Sequence, residues 1–170
     1  MQRTVSIVLG ALLLSVAASA QTKAGPDFAG TWVFDQAATL ANATAARMQP
    51  GPIFGESFVA EQSAATLTLR ISAGTLQVVA VYALDGSVSK NVSPPAIQNA
   101  PAIEVISHAK WDAGRLIITS NSQSPSANGP VVVDSTRTMW LDATGRLVIE
   151  RTGTPRTMVP PSRSVYKKVQ

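Results

Sequence analysis

Residues 66–71 alternate without a break. Leu67, Leu69 and Ile71 fall on one face, and Thr66, Thr68 and Arg70 on the other. That is the period-two pattern of a half-buried strand. Ser72, Ala73 and Gly74 then signal a turn. Residues 75–84 form a long run rich in β-branched side chains, ending at Asp85-Gly86. This dipeptide is a strong hairpin signal, so 87–92 is the predicted return strand. A loop opens at Pro94-Pro95 and reaches Pro101. Strands follow at 103–111, 115–120, 131–141, 146–152 and 163–169. Between them lie Asp112-Ala113-Gly114, the polar stretch 121–130, and Asp142 to Gly145. The two Asp-Gly turns are alike: each leads into Arg-Leu and then β-branched residues. Asp hydrogen-bonds the backbone ahead of it, and Gly supplies the positive φ. Only residues 36–48 depart from alternation. They are alanine-rich and free of Gly and Pro; Leu40, Ala43 and Arg47 fall at helical spacing, and Pro50 closes the segment. The pattern predicts an all-β chain: an antiparallel up-and-down barrel of about 8–10 strands with one short N-terminal helical segment. A meander of that many strands removes its exposed edges by closing.

The start of the chain carries a different pattern. Arg3 precedes an apolar stretch over 5–18, and Ala18-Ser19-Ala20 follows with small residues at the positions a signal peptidase reads. This predicts a cleaved leader over 1–20, cut between Ala20 and Gln21, and a single domain over 21–170. The apolar stretch is shorter than the ~20 residues that span a bilayer. Export to a secreted or periplasmic location follows as an expectation. The chain has a net charge of +4, and loss of Arg3 lowers it by one. Charge is uneven: residues 21–109 hold four basic and six acidic side chains, and 110–170 hold nine and four. No Lys/Arg cluster stands beside aromatic residues, so the basic half reads as a solvated face rather than a nucleic-acid interface.

Candidate chemistry is sparse. The absence of cysteine excludes disulfides, thiol nucleophiles and thiolate metal sites. His108 is the sole histidine. On the strand 103–111 it shares a face with Glu104, Ile106 and Lys110, opposite Val105, Ser107, Ala109 and Trp111. With that second face in the core, His108 points outward, without the nucleophile and orienting carboxylate a general base needs. Asp112 and Asp142 are explained by their turns. No catalytic residue, metal site or cofactor is expected, and the chain reads as a non-enzyme. Asn42-Ala43-Thr44 and Asn91-Val92-Ser93 match the glycosylation sequon. The clearest binding candidate is the run 75–84, with Leu76, Val78, Ala80, Tyr82 and Leu84 on one face. Small Ala80 leaves volume, and the Tyr82 hydroxyl needs a partner when buried. Val78, Ala80 and Tyr82 are therefore read as pocket-lining, although Gln77, Val79, Val81 and Ala83 make a face nearly as apolar. The segment 36–48 is expected over or beside one mouth of the barrel, burying Leu40.

Three sequence features share one resemblance. They are Gly30-Thr31-Trp32 in the first strand, Ala109-Lys110-Trp111-Asp112-Ala113-Gly114-Arg115-Leu116 in the middle, and Val165-Tyr166-Lys167-Lys168 in the last strand. Their order and spacing resemble the lipocalin-like (calycin-type) barrels of small secreted bacterial proteins. The resemblance implies a barrel with one open mouth and a role in carrying or sensing a small, often apolar, molecule. It also implies an arginine lying across the first-strand tryptophan. Arg163 is the best-placed partner for Trp32, since the last strand of a closed barrel returns beside the first; Arg137 and Arg151 are the alternatives. Three readings stay open: a barrel that binds a small apolar or amphipathic molecule, a filled barrel serving as a structural or interaction domain, and an outer-membrane barrel. The last needs two aromatic girdles, and nine aromatic residues are few for that. A monomer is expected, with no membrane anchor after cleavage.

Overall fold

A computed structural model describes residues 25–73, 76–94 and 101–169. The leader 1–20, the Ala20/Gln21 junction and most of the proline-rich loop lie outside the described residues. The chain runs β1 (Gly30–Phe34), α1 (Gln36–Ala46), β2 (Gln49–Pro50), β3 (Ser57–Gln62), β4 (Thr66–Ala73), β5 (Leu76–Ala83), β6 (Asp85–Ser93), β7 (Ile103–Asp112), β8 (Arg115–Ser124), β9 (Val131–Leu141), β10 (Leu147–Thr154) and β11 (Ser162–Val169). All strands but β2 join in one antiparallel sheet ordered β5-β4-β3-β1-β11-β10-β9-β8-β7-β6, and β2 pairs in parallel with β11. The result is a nearly closed β-barrel with one short helix. β2 and β3 are the strands the sequence did not predict.

The predicted alternation sets the inner wall. Leu67, Leu69, Ala109, Leu116, Ile118, Leu147 and Ile149 are fully buried. Connections of an up-and-down sheet alternate between its ends. The turns after β3, β5, β7 and β9 therefore share one end, and those after β4, β6, β8 and β10 share the other. The first end is plugged. Phe28 lies against Trp111 with ring centroids 5.5 Å apart, and Trp32, Leu84, Leu116 and Leu147 fill in around them. The β7–β8 reversal is the predicted one, with Ala113 at φ 45° and Gly114 at φ 77°. Asp142 Oδ1 accepts from the backbone N–H groups of Thr144 (2.8 Å) and Arg146 (3.0 Å), as its turn role requires.

Two local expectations are corrected. Asp85-Gly86 does not form a two-residue hairpin between β5 and β6. The chain reverses at Leu84, which is drawn inward while its N–H donates to Ala65 O at 2.8 Å. Asp85 and Gly86 instead sit at an irregularity where β6 pairs β7. β5 and β6 stay adjacent without a backbone ladder. Side chains close this seam: Val81 N donates to Asn91 Oδ1 (2.7 Å), Asn91 Nδ2 donates to Val81 O (3.0 Å), and Ala83 N donates to Ser89 Oγ (2.9 Å). The Asn91 amide thus stands in for a missing peptide unit.

The second correction concerns α1. Asp35 caps it by accepting from Ala38 N at 3.0 Å, and Arg47 ends it in the left-handed conformation at φ 54°. The helix runs along β11 past the end of β1, where Thr39 Oγ1 accepts from Val165 N at 2.8 Å. Its buried residues are Thr39 and Ala43, while Leu40 stays 48% exposed. The chain that enters the open end is the following loop. Ile53 N donates to Ser164 Oγ, and Phe54 N to the Tyr166 hydroxyl, each at 2.9 Å.

Candidate functional site

Beyond the plug, the inner wall changes character. Ser107, Ser120, Ser122, Ser124 and Ser135 take positions that in the closed half are held by Leu, Ile and Met. Ser107 and Ser120 hydroxyls bond one another at 2.9 Å. Two interior cavities lie here. One, of about 170 Å³, is bounded by Ile53, Phe54, Ile71, Val78, Ala80, Tyr82 and the inner edge of β6. The other, of about 210 Å³, is bounded by serines of β8 and β9, by Arg151, and by Met158 and Val159 of the β10–β11 connection. They share Ser93, Val105 and Arg137. Larger hollows of about 440 Å³ occur outside the barrel, around Ile106, His108 and Asp134, and around Pro101 and Pro130. Those are surface concavities of a twisted sheet, lined mostly by outward-pointing residues. The smaller of the interior pair has the mainly apolar wall with a few polar groups that characterises ligand pockets, and the larger is walled mostly by serine and arginine.

Val78, Ala80 and Tyr82 are brought together on the inner face of β5, along one cavity wall. The Tyr82 hydroxyl makes no hydrogen bond among the described residues. Burial raises its pKa above the ordinary tyrosine value, and the positive charge of Arg137 partly offsets that shift. The seam between β5 and β6 borders the same cavity, since Asn91 belongs to both. Wall held by side-chain bonds rather than a ladder is the wall that opens at least cost.

The expected pairing of Arg163 with Trp32 is corrected. β1 and β11 are neighbours, but Trp32 stands opposite Lys168. Lys168 Nζ lies 5.8 Å from the Trp32 ring centroid. Arg163 is five residues away on β11, an odd offset, so it projects from the opposite face. There it forms an ion pair with Glu150, donates to Asn42 O at 3.3 Å, and lies 5.7 Å from the Trp140 ring. Of the alternatives, Arg137 faces the Phe54 ring at 5.8 Å and Arg151 lines the larger interior cavity. The close passage of Lys168 also gives Gly30 a role. A Cβ there would meet Lys168 Cε at 2.4 Å, and its φ of +136° disfavours any side chain.

His108 is exposed on the outer wall, where Nδ1 donates to Gly86 O at 2.9 Å. Both sequon amides are engaged, Asn42 Nδ2 with Ala38 O at 2.9 Å and Asn91 in the seam. Among the described residues no group of three or more His, Asp or Glu side chains could hold a metal ion. No described helix is long and apolar enough to cross a membrane.

Sequence reasoning missed Arg137 and Arg151 as interior residues. The signal was present. Arg137 shares its face with Met139 and Leu141, and Arg151 shares its face with Leu147 and Ile149. A lone arginine on an otherwise apolar strand face is the anomaly that marks them. No protein-family model matches the chain, and no curated protein does.

Proposed function

We propose that the protein is a lipocalin-like barrel that holds one small apolar or amphipathic molecule in its open half, acting outside the cytoplasm once the leader 1–20 is removed. What carries this reading is the pair of adjoining cavities, the smaller lined by Val78, Ala80 and Tyr82, in a barrel whose other end is packed with side chains. A filled barrel has no reason to replace core residues with serines at one end only. Each cavity is smaller than a usual pocket of roughly 300–1,000 Å³, and joined they reach its lower bound. At about 30 Å³ per water-sized unit they take roughly a dozen non-hydrogen atoms.

A small apolar fluorophore added to residues 21–170 is expected to bind at about one site. Tyr82→Phe is expected to weaken ligands with a polar group more than purely apolar ones, because only the former gain the hydroxyl. Absence of binding by any apolar probe returns the filled-barrel reading. Export has its own check. Intact mass of the protein recovered from its host should correspond to a chain beginning at Gln21, and a full-length cytoplasmic product removes the proposed location.

A further inference from the structure

Resting on the binding-barrel reading, we infer that the ligand is a small organic acid, with its anionic head between Arg137 and Arg151 and its apolar body against Phe54, Ile71, Val78 and Ala80. Arg137 and Arg151 stand directly opposite one another on β9 and β10. Both line the serine-walled cavity. Like charges facing each other across a ladder repel, so the pair needs something in return. No carboxylate supplies it. The ion pairs among the described residues are Arg70–Glu61, Arg146–Asp35 and Arg163–Glu150. Arg137 Nε and Arg151 Nε are buried and make no hydrogen bond. Arg163 Nε is likewise unpartnered, but that guanidinium already has Glu150 and lies outside the barrel.

Two forked guanidiniums beside hydroxyl donors suit a carboxylate, which accepts paired N–H bonds from arginine. Ser120, Ser122, Ser124 and Ser135 line the same cavity and provide further donors. Burial and the positive charge of Arg137 both push the Arg151 pKa down, and a bound anion acts in the opposite direction. The apolar part of the ligand has a defined direction. Arg137 borders both cavities, so a head held there places the body in the smaller, apolar cavity.

The test compares 4-butylbenzoate with 4-butylbenzyl alcohol by calorimetry on residues 21–170. The two probes share one body and differ in the head. The acid is expected to bind at about one site and at least tenfold more tightly than the alcohol, with an advantage that shrinks as salt is added. In Arg137→Leu and in Arg151→Met the acid should fall to the level of the alcohol, while alcohol binding is retained and so reports an intact barrel. Thermal midpoints of both variants should equal or exceed the parent's, since a half-buried charge facing a like charge is removed; arginines with a purely structural role would lower them. Equal affinity for acid and alcohol in the parent overturns the head-group assignment and leaves the binding barrel standing. No binding of either probe overturns both.

Discussion

Replacing Trp32 with alanine is expected to lower the unfolding free energy by about 3–5 kcal/mol, the usual cost of truncating a large buried aromatic. Trp32 is 1% exposed and is the largest fully buried side chain of the barrel. It pairs with Phe58 on one side and Lys168 on the other, so one residue ties together β3, β1 and β11. Its Nε1 donates to Phe28 O at 2.8 Å, which fixes the segment that caps the plugged end. Truncation would leave a cavity and an unsatisfied carbonyl together. Trp32→Phe separates these two effects. It keeps most of the apolar contact and loses the hydrogen bond, for about 1–3 kcal/mol. The Lys168 ammonium over the ring adds little at an exposed site, about 0.5–1 kcal/mol at most. Lys168→Met should therefore change stability far less than either tryptophan variant. Urea unfolding at neutral pH measures all three. A Trp32→Ala protein within 1 kcal/mol of the parent would mean that the plug is built on other residues.

The parts of this fold that were legible in sequence are those where one face is apolar and the other polar. β4 is the clearest case, because Leu67 and Leu69 admit only one orientation. β7 and β8 follow the same logic through Ala109, Leu116 and Ile118. β3 escaped because its inward residues are Phe58 and the small Ala60, with apolar Val59 outward, which is too weak an alternation to stand out. The β5–β6 reversal departs from its sequence pattern for a different reason. Asp-Gly predicts a local turn, but Leu84 is captured by the plug and by Ala65 O. Tertiary burial overrode the dipeptide.

The candidate site was half legible. The inward face of β5 could be argued from Ala80 and Tyr82, although its outer face is almost as apolar. The arginine pair could not be reached through the Trp32 resemblance, which implies a cation over an indole and nothing about two facing arginines. Parity along β11 would have excluded Arg163: Tyr166 is buried inside, so even-numbered residues face inward and Arg163 cannot. The same parity on β9 and β10 puts Arg137 beneath Met139 and Arg151 beneath Ile149. What no pattern in one strand can give is the register that sets the two arginines side by side.

Stability is expected to fall steeply above pH 10, and the two tyrosines set that fall. Tyr166 is fully buried, its hydroxyl accepting from Phe54 N at 2.9 Å and donating to Gly55 O at 3.2 Å. Burial raises its pKa to about 12 from the ordinary value of 10.0. Tyr82, the only other tyrosine, is raised as well, again chiefly by burial. A phenol that holds its proton longer in the folded state gives stability that is complete below the unfolded pKa. As pH rises from 10 to about 12, the unfolded chain releases the proton and the folded chain does not. Folding then loses free energy at each step. At about 1.4 kcal/mol per pKa unit, Tyr166 alone accounts for about 3 kcal/mol across that window. Tyr82 adds in the same direction. Tyr166→Phe should flatten the alkaline loss while costing about 1–3 kcal/mol at neutral pH, because Phe54 N–H is left buried without an acceptor. Urea unfolding of parent and variant at stepped pH, with phenolate absorbance read in parallel, measures both effects. Phenolate appearing at its ordinary pH while the barrel stays folded would show that the Tyr166 hydroxyl is open to water, and the loop through Phe54 would then not shield it.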